Sequence, residues 1–192
     1  MKTAIRFLLI LIFTIAAACL AISAAEPIVY LSETGNDANT GTSISDSVAT
    51  LSRAYELLGD SGGTIYVSGS VIVDSNAKNG SLNVFEEPVH SGKIHLTSLD
   101  ADAPATLKFE STTHWYLSGE LEMDNIQIKL TANGVWAARH NHFTVGKNVT
   151  MLDSETNYII LLGGCNAGGE TVHTTANTHL TFYSGTFGYI YG

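Results

Sequence analysis

The sequence has few charged residues, few prolines and almost no cysteine. Of its 192 residues, 14% are charged and three are proline, whereas about a quarter of the residues in a typical soluble domain are charged. A disordered chain needs many charges and few apolar residues, and the hydrophobic share of 45% excludes it. The 18 glycines follow no three-residue period, which excludes a collagen-like triple helix.

A predicted secretory signal peptide occupies residues 1–25. Two basic residues, Lys2 and Arg6, precede the apolar run 7–22, and small side chains follow where a signal peptidase cleaves. No second apolar run is long enough to span a bilayer, so we expect no membrane span in the mature chain. The predicted location is therefore extracellular or at the cell surface.

The two cysteines do not form a disulfide framework. Cys19 lies within the predicted signal peptide, which leaves Cys165 as the single thiol of the mature chain. An alternative stays open, in which Cys19 is a lipid attachment site, because residues 16–19 loosely resemble a lipobox.

The charge balance is acidic. Removing Lys2 and Arg6 with the signal peptide changes the formal net charge from −9 to −11. Such a surface repels phosphate backbones, so we expect no nucleic-acid partner. Anionic polysaccharides and lipids would also be repelled unless a cation bridges them.

One helix is predicted ahead of a long series of strands. Its interval is 48–58, with either Asp46 or Ser47 as N-cap and Gly59 as the terminating residue. Apolar residues recur there with helical spacing. They are Leu51, Ala54, Tyr55 and Leu58.

After this helix the sequence breaks into short apolar or alternating segments, separated by Gly, Asn, Asp and Ser. The predicted strands are 64–67, 71–73, 93–97, 105–109, 115–117, 121–130, 142–151, 158–162 and 178–183. The pattern allows a sandwich, a barrel or a β-solenoid. Asn148 and Asn177 each precede a strand and lie 29 residues apart, a spacing that suits one coil of a solenoid.

The residues around the first strand favour the solenoid. Val29-Tyr30-Leu31-Ser32 is followed by a Gly, Asn and Asp-rich loop, by Ala49-Thr50-Leu51, and by Gly62-Gly63-Thr64-Ile65-Tyr66-Val67. This opening resembles that of the right-handed parallel β-helix proteins, the pectin-lyase-like superfold. Relatives often carry Pro and an aromatic residue where this chain has Ser47-Val48, a departure that loosens the helix start.

The resemblance implies an all-β fold, a right-handed parallel β-helix with one N-terminal capping α-helix. Residues 26–63 would form the first strand, loop and cap, and residues 64–192 the rungs. Because 181–192 reads as a rung in progress, we expect the rungs to continue beyond the given chain.

Three alternating carboxylates, Glu120, Glu122 and Asp124, form the first candidate site. On a strand they share one face, where carboxylate oxygens could hold Ca²⁺. Resemblance to polysaccharide lyases implies a nearby base, for which Lys129 and Arg139 are the local candidates. The alternative is a solvated strand face that ends in a turn or bulge at Asp124-Asn125.

Aromatic and histidine residues form two further candidate sites. Trp115, Tyr116 and Trp136 could stack against the sugar rings of an extracellular glycan, or they could fill the β-helix interior. His140 and His142 could hold a metal, or they could belong to a polar turn between rungs.

We therefore expect a secreted or cell-surface β-helix module with an interaction role, adhesin-like or carbohydrate-contacting. The alternative is a polysaccharide lyase or glycoside hydrolase with its active site partly or wholly downstream. A basic residue facing two carboxylates on adjacent outward strands would favour the enzyme. An outward face of Thr, Asn and aromatic residues without such a pair would favour binding.

Overall fold

The chain is predominantly β, with an α-helix near its start. The computed structural model describes residues 25–110, 114–152, 157–164 and 178–191. Helix α1 spans Leu51–Leu58, and short 3-10 turns span Ile44–Asp46 and Gly59–Ser61. The strands are β1 Ile28–Ser32, β2 Gly63–Ser68, β3 Ser70–Ile72, β4 Ala77–Asn79, β5 Leu82–Glu86, β6 Ile94–Ser98, β7 Thr106–Phe109, β8 His114–Tyr116, β9 Leu121–Asp124, β10 Gln127–Leu130, β11 Gly134–Ala137, β12 His142–Val145, β13 Thr150–Leu152, β14 Ile159–Leu162, β15 His179–Phe182 and β16 Tyr189–Tyr191.

Within the described ranges these strands form three sheets with mostly parallel pairing. Sheet 1 has the order β1-β2-β6-β9-β12-β15, sheet 2 the order β3-β7-β10-β13, and sheet 3 the order β4-β5-β8-β11-β14-β16. The pairing of β4 with β5 is antiparallel. From β6 to β14 the chain visits sheets 1, 2 and 3 in strict rotation, so each passage through the three sheets adds one strand to each of them.

The inward side chains of all three sheets form one continuous apolar cluster. In sheet 1, register aligns Ile65, Leu96, Met123 and Val145 as one buried row. In sheet 3 a second row begins with three aromatic residues, Phe85, Trp115 and Trp136, whose successive rings pack edge to face. Leu161 continues the same row. Parallel sheets are stable when such rows are continuous, because each strand buries its apolar residues against its neighbours.

Helix α1 buries the apolar stripe predicted for it and contacts β1. It begins at Leu51, later than expected, and its N-cap is Thr50, so the expected caps Asp46 and Ser47 were wrong. The reason is that the backbone of Val48 is paired with β1 and cannot join the helix. Gly59 ends the helix as expected, at a φ of 60°.

Sequence periodicity predicted most strands but missed the β4–β5 hairpin, β11 and β16. The predicted segments 121–130 and 142–151 each divide into two strands, β9 and β10 or β12 and β13, which belong to sheets 1 and 2. The expected break between two inward rows at Asp124-Asn125 is confirmed, since Asn125 has a φ of 47° and Ile126 and Ile128 point into the core. The signal peptide, apart from Ala25, and both cysteines lie outside the described residues. None of the described helices is long and apolar enough to cross a membrane.

Candidate functional site

The outward side chains of sheet 1 form a polar strip, here called the outer face of sheet 1. Strand register arranges them in three parallel rows. The first row is Lys93, Glu120, His142 and His179; the second is Thr64, His95, Glu122, Thr144 and Thr181; the third is Tyr30, Tyr66, Thr97 and Asp124. Because strands lie about 4.8 Å apart, neighbours within a row are in contact range.

Lys93 lies between two carboxylates on the next strand. Its Nζ is 4.0 Å from Glu120 Oε1 and forms an ion pair with Glu122. The hydrogen bond to Glu122, helped by the charge of both carboxylates, raises the pKa of Lys93. The ammonium group therefore keeps its proton at neutral pH and neutralises part of the acidic row.

Two histidines continue the first row beyond Glu120. His142 Nδ1 is 3.9 Å from Glu120 Oε2, and the ring centroids of His142 and His179 lie 4.4 Å apart. Both rings are exposed. This part of the row presents imidazole nitrogens and a carboxylate side by side to solvent.

His95 occupies the second row between Thr64 and Glu122. Its Nε2 is buried and has no hydrogen-bond partner among the described residues. A buried ring nitrogen without a hydrogen-bond partner lowers stability, so His95 is an unsatisfied polar group within the face.

The third row combines aromatic and polar side chains. The rings of Tyr30 and Tyr66 stack with centroids 5.7 Å apart and an interplanar angle of 30°. Register then places the short side chain of Thr97 between Tyr66 and Asp124. We call the position of Thr97, which is 9% exposed, the step: a short side chain flanked in register by a phenol ring on one side and a carboxylate on the other.

The three predicted carboxylates do share the outward face of β9, but they do not act together. Glu120 and Glu122 are engaged by Lys93, and Asp124 Oδ1 accepts a hydrogen bond from the Asn125 amide. In the described part of the chain no three His, Cys, Asp or Glu side chains are grouped closely enough to hold a metal ion. Of the side chains proposed for Ca²⁺, Glu120 and Glu122 thus form an ion-paired strip with Lys93, and Asp124 lies outside that pairing.

The two predicted bases lie away from this strip. Lys129 is on β10 of sheet 2, in register with Lys108. Arg139 follows β11, where its Nη1 is 2.7 Å from Glu86 Oε1 and its guanidinium lies 5.5 Å from the Tyr116 ring centroid. The basic residue that does face Glu120 and Glu122 is Lys93, which sequence reasoning missed.

The three predicted sugar-stacking residues are core side chains. Trp115, Tyr116 and Trp136 are 0%, 4% and 1% exposed. Trp115 Nε1 donates to Glu87 Oε1 at 2.7 Å, and the Tyr116 hydroxyl accepts from Asn79. Their ring faces are closed off from solvent, so an aromatic contact surface has to come from other residues.

The histidine cluster at 139–142 forms a turn. Arg139 and His140 have φ values of 51° and 68°, and His142 begins β12. Of its two histidines, only His142 lies on the outer face of sheet 1. Residues 139–142 therefore form the polar turn that was expected as the alternative to a metal site.

Glu87 is the centre of a buried polar network that the sequence did not suggest. Its Oε1 accepts from Tyr55 Oη at 2.6 Å and from Trp115 Nε1, and its Oε2 accepts from the Ser118 amide at 3.1 Å. Burial, followed by the charge of Glu87, raises the pKa of Tyr55 well above its usual value. The network links α1 to sheet 3 and is closed to ligands, so its role is structural.

Comparison of the chain with protein-family models, with curated proteins and with solved structures finds no match. Nothing outside the chain therefore assigns it to a family.

Proposed function

We propose that the chain is a right-handed parallel β-helix module of an exported protein, similar to the pectin-lyase-like superfold, and that it contacts carbohydrate through the outer face of sheet 1. The strict rotation of the chain through three parallel sheets supports the β-helix. The predicted signal peptide at 1–25 supports export.

The observation that carries the carbohydrate proposal is the third row of that face. Register places Tyr66 on one side of the step at Thr97 and Asp124 on the other side. A pyranose has an apolar C–H face that packs on an aromatic ring and hydroxyls that donate to carboxylates. The step offers both kinds of partner within the span of one sugar.

The neighbouring rows add hydrogen-bonding groups for the same ligand. Lys93 donates, Glu120 and Glu122 accept, and the ring nitrogens of the exposed His142 can do either according to tautomer. With a formal charge of −11 on the mature chain, a neutral glycan approaches this face more readily than an acidic one.

Binding of neutral hexasaccharides tests this proposal. We expect isothermal titration calorimetry to detect binding of one or more of cellohexaose, xylohexaose and mannohexaose. Tyr66→Ala should weaken that binding by about tenfold, which corresponds to about 1.4 kcal/mol of lost ring contact. Tyr191→Ala, which removes an exposed ring from sheet 3, is the matched control and should leave affinity unchanged. Absence of binding to all three sugars, or equal losses in both variants, would overturn the proposal.

The alternative of a polysaccharide lyase has one observation in its favour, the position of Lys93 facing Glu120 and Glu122 across adjacent strands. However, lyase chemistry needs a base with a pKa near the working pH, and the pKa of Lys93 is raised. We therefore expect no release of unsaturated products from pectate or alginate, with or without Ca²⁺. Calcium-dependent release, followed by ultraviolet absorbance and lost in both Glu122→Gln and Lys93→Ala, would instead establish the enzyme.

A further inference from the structure

The sequence contains two Asn-Gly dipeptides, Asn79-Gly80 and Asn133-Gly134. In such a pair the backbone nitrogen of the glycine can attack the side-chain carbonyl carbon of the asparagine, because glycine has no side chain to block the approach. The attack closes a five-membered succinimide ring and releases ammonia, and water then opens the ring to aspartate or isoaspartate. Since water is the only co-reactant, the structure around each asparagine decides which of the two converts.

The second dipeptide is held on both sides by Tyr158. The Gly134 amide donates to the Tyr158 carbonyl at 2.9 Å, and Asn133 Oδ1 accepts from the Tyr158 amide at 3.1 Å. Gly134 also begins β11 and is in register with Ile159 of β14. The attacking nitrogen and the carbonyl group that it must reach are both engaged, so ring closure at Asn133 requires local opening of two hydrogen bonds.

The first dipeptide lies at the tip of the β4–β5 hairpin. Asn79 ends β4 and is paired with Leu82, so Gly80 and Ser81 form a two-residue turn. Gly80 is exposed, its φ is 61°, and a Cβ added there would meet no atom within 4 Å. Its amide donates no backbone hydrogen bond to another described residue. The nitrogen of Gly80 is therefore accessible and unengaged, in contrast to that of Gly134.

One contact restrains the side chain of Asn79. Its Nδ2 donates to the Tyr116 hydroxyl at 2.9 Å. Tyr116 forms an apolar cluster with Val84 and Ala137, and Ala77 of β4 packs against that cluster. Conversion of Asn79 to aspartate removes the donor, and isoaspartate also lengthens the backbone by one carbon between β4 and the turn. The modification therefore weakens the attachment of β4 to sheet 3.

We propose that Asn79 is a site of spontaneous deamidation in the folded chain, with Gly80 as the attacking residue, and that Asn133 is protected. A bond forms between the Gly80 nitrogen and Asn79 Cγ while the bond from Cγ to Nδ2 breaks. The Gly80 amide proton leaves with the side-chain nitrogen as ammonia, and water then adds to one of the two imide carbonyl carbons. The contact with Tyr116 slows the reaction, because the Asn79 side chain must leave it to reach the Gly80 nitrogen.

Incubation of the full chain in mildly alkaline buffer, followed by peptide mapping with mass spectrometry, tests the proposal. We expect Asn79 to convert at least about tenfold faster than Asn133 in the folded chain, because only Asn133 must first break the hydrogen bonds that join it and its glycine to Tyr158. In chain unfolded by urea the two rates should converge, since both asparagines then have the same flexible Asn-Gly backbone.

Two variants that each remove one tyrosine hydroxyl test the restraint on Asn79. Tyr116→Phe keeps the buried ring but removes the acceptor, so Asn79 should convert about fivefold faster than in the parent chain. Tyr191→Phe changes an exposed ring and is the matched control, with the parent rate expected. Equal or faster conversion of Asn133 in the folded chain, no conversion of Asn79, or equal Asn79 rates in the two variants would overturn the proposal.

Discussion

The helix near the start of the chain and the last described strand differ in how far their apolar side chains are covered. Leu51 and Leu58 of α1, which contacts β1, are 1% and 4% exposed. Ile190 of β16 continues an inward row of sheet 3 and is 49% exposed. Both sets of side chains are apolar, so the difference lies in what packs against them in the described part of the chain.

We infer from this difference where the described residues contribute most to stability. Helix α1 has both a buried apolar stripe and a buried polar network, in which its Tyr55 donates to Glu87. Strand β16 has neither among the described residues, so its exposed side chains should contribute little to stability.

The largest effect is expected from placing a charge in the buried stripe of α1. Leu58→Asp should lower the free energy of unfolding by about 4 kcal/mol, because Leu58 is 4% exposed and the new carboxylate would be buried. Ile190→Asp should lower it by less than about 1 kcal/mol, because Ile190 is 49% exposed. Urea unfolding followed by circular dichroism compares the two, and equal losses would remove the distinction between the two positions.

Removing the acceptor of the buried network should have the next largest effect. Glu87→Ala leaves the Tyr55 hydroxyl, the Trp115 indole N–H and the Ser118 amide without their partner, and should cost about 3 kcal/mol. Glu87→Gln keeps a carbonyl acceptor and should cost less. If both variants unfold at the parent urea concentration, the network does not hold α1 in place.

The pH dependence of stability should show a smaller effect, which arises from His90 beside Glu87 of the same buried network. Burial acts to lower the pKa of His90, but Glu87 and the Gly92 carbonyl, with a contribution from Asp60, outweigh it and raise that pKa. Protonated His90 is therefore favoured by the folded state. Its stabilising contribution is complete below the unfolded pKa of about 6.5 and is lost as pH rises through the higher folded value.

Thermal melts between pH 5 and pH 9 measure this contribution. The parent chain should lose stability across the upper part of the range, and His90→Gln should flatten that loss. His179→Gln, at the exposed C-terminal end, is the control and should follow the parent curve. A stability difference between the parent and His90→Gln that grows as pH rises would contradict the assigned sign.

The smallest effect on stability is expected at the outer face of sheet 1. Lys93→Met breaks the ion pairs with Glu120 and Glu122, yet all three side chains are partly exposed and screened by solvent. We expect a loss below about 1 kcal/mol. Urea unfolding measures it, and a loss comparable with that of Leu58→Asp would show that the ion-paired strip supports the fold.

Much of the fold could be predicted from the sequence because its signals are local. The spacing of Leu51, Ala54, Tyr55 and Leu58 predicts the helix and its buried side. Alternation in 93–97 and 121–130 predicts which side chains point inward, and β6 occupies the first segment whereas β9 and β10 divide the second. Thr50 was missed as the N-cap because the pairing of the preceding residues with β1 is a long-range contact.

The candidate site was harder to predict because it depends on register between distant strands. Lys93 lay in a predicted strand, but nothing local indicates that it meets Glu120 and Glu122 on β9. The burial of Trp115 and Trp136 likewise depends on the ring row across sheet 3. The pair Tyr30 and Tyr66 could have been found only by aligning β1 with β2. With Ile28 opposite Thr64, each tyrosine is the third residue along its strand from that pair.

The proposed carbohydrate contact lies on the outer face of sheet 1. The most direct test of this location is hydrogen exchange of the chain with and without saturating cellohexaose, or whichever hexasaccharide binds. We predict slower exchange in β2, β6 and β9, around Tyr66, Thr97 and Asp124, with no change in β7 and β10 of sheet 2. Protection confined to sheet 2 or sheet 3, or none on any strand with sugar bound, would contradict the claim.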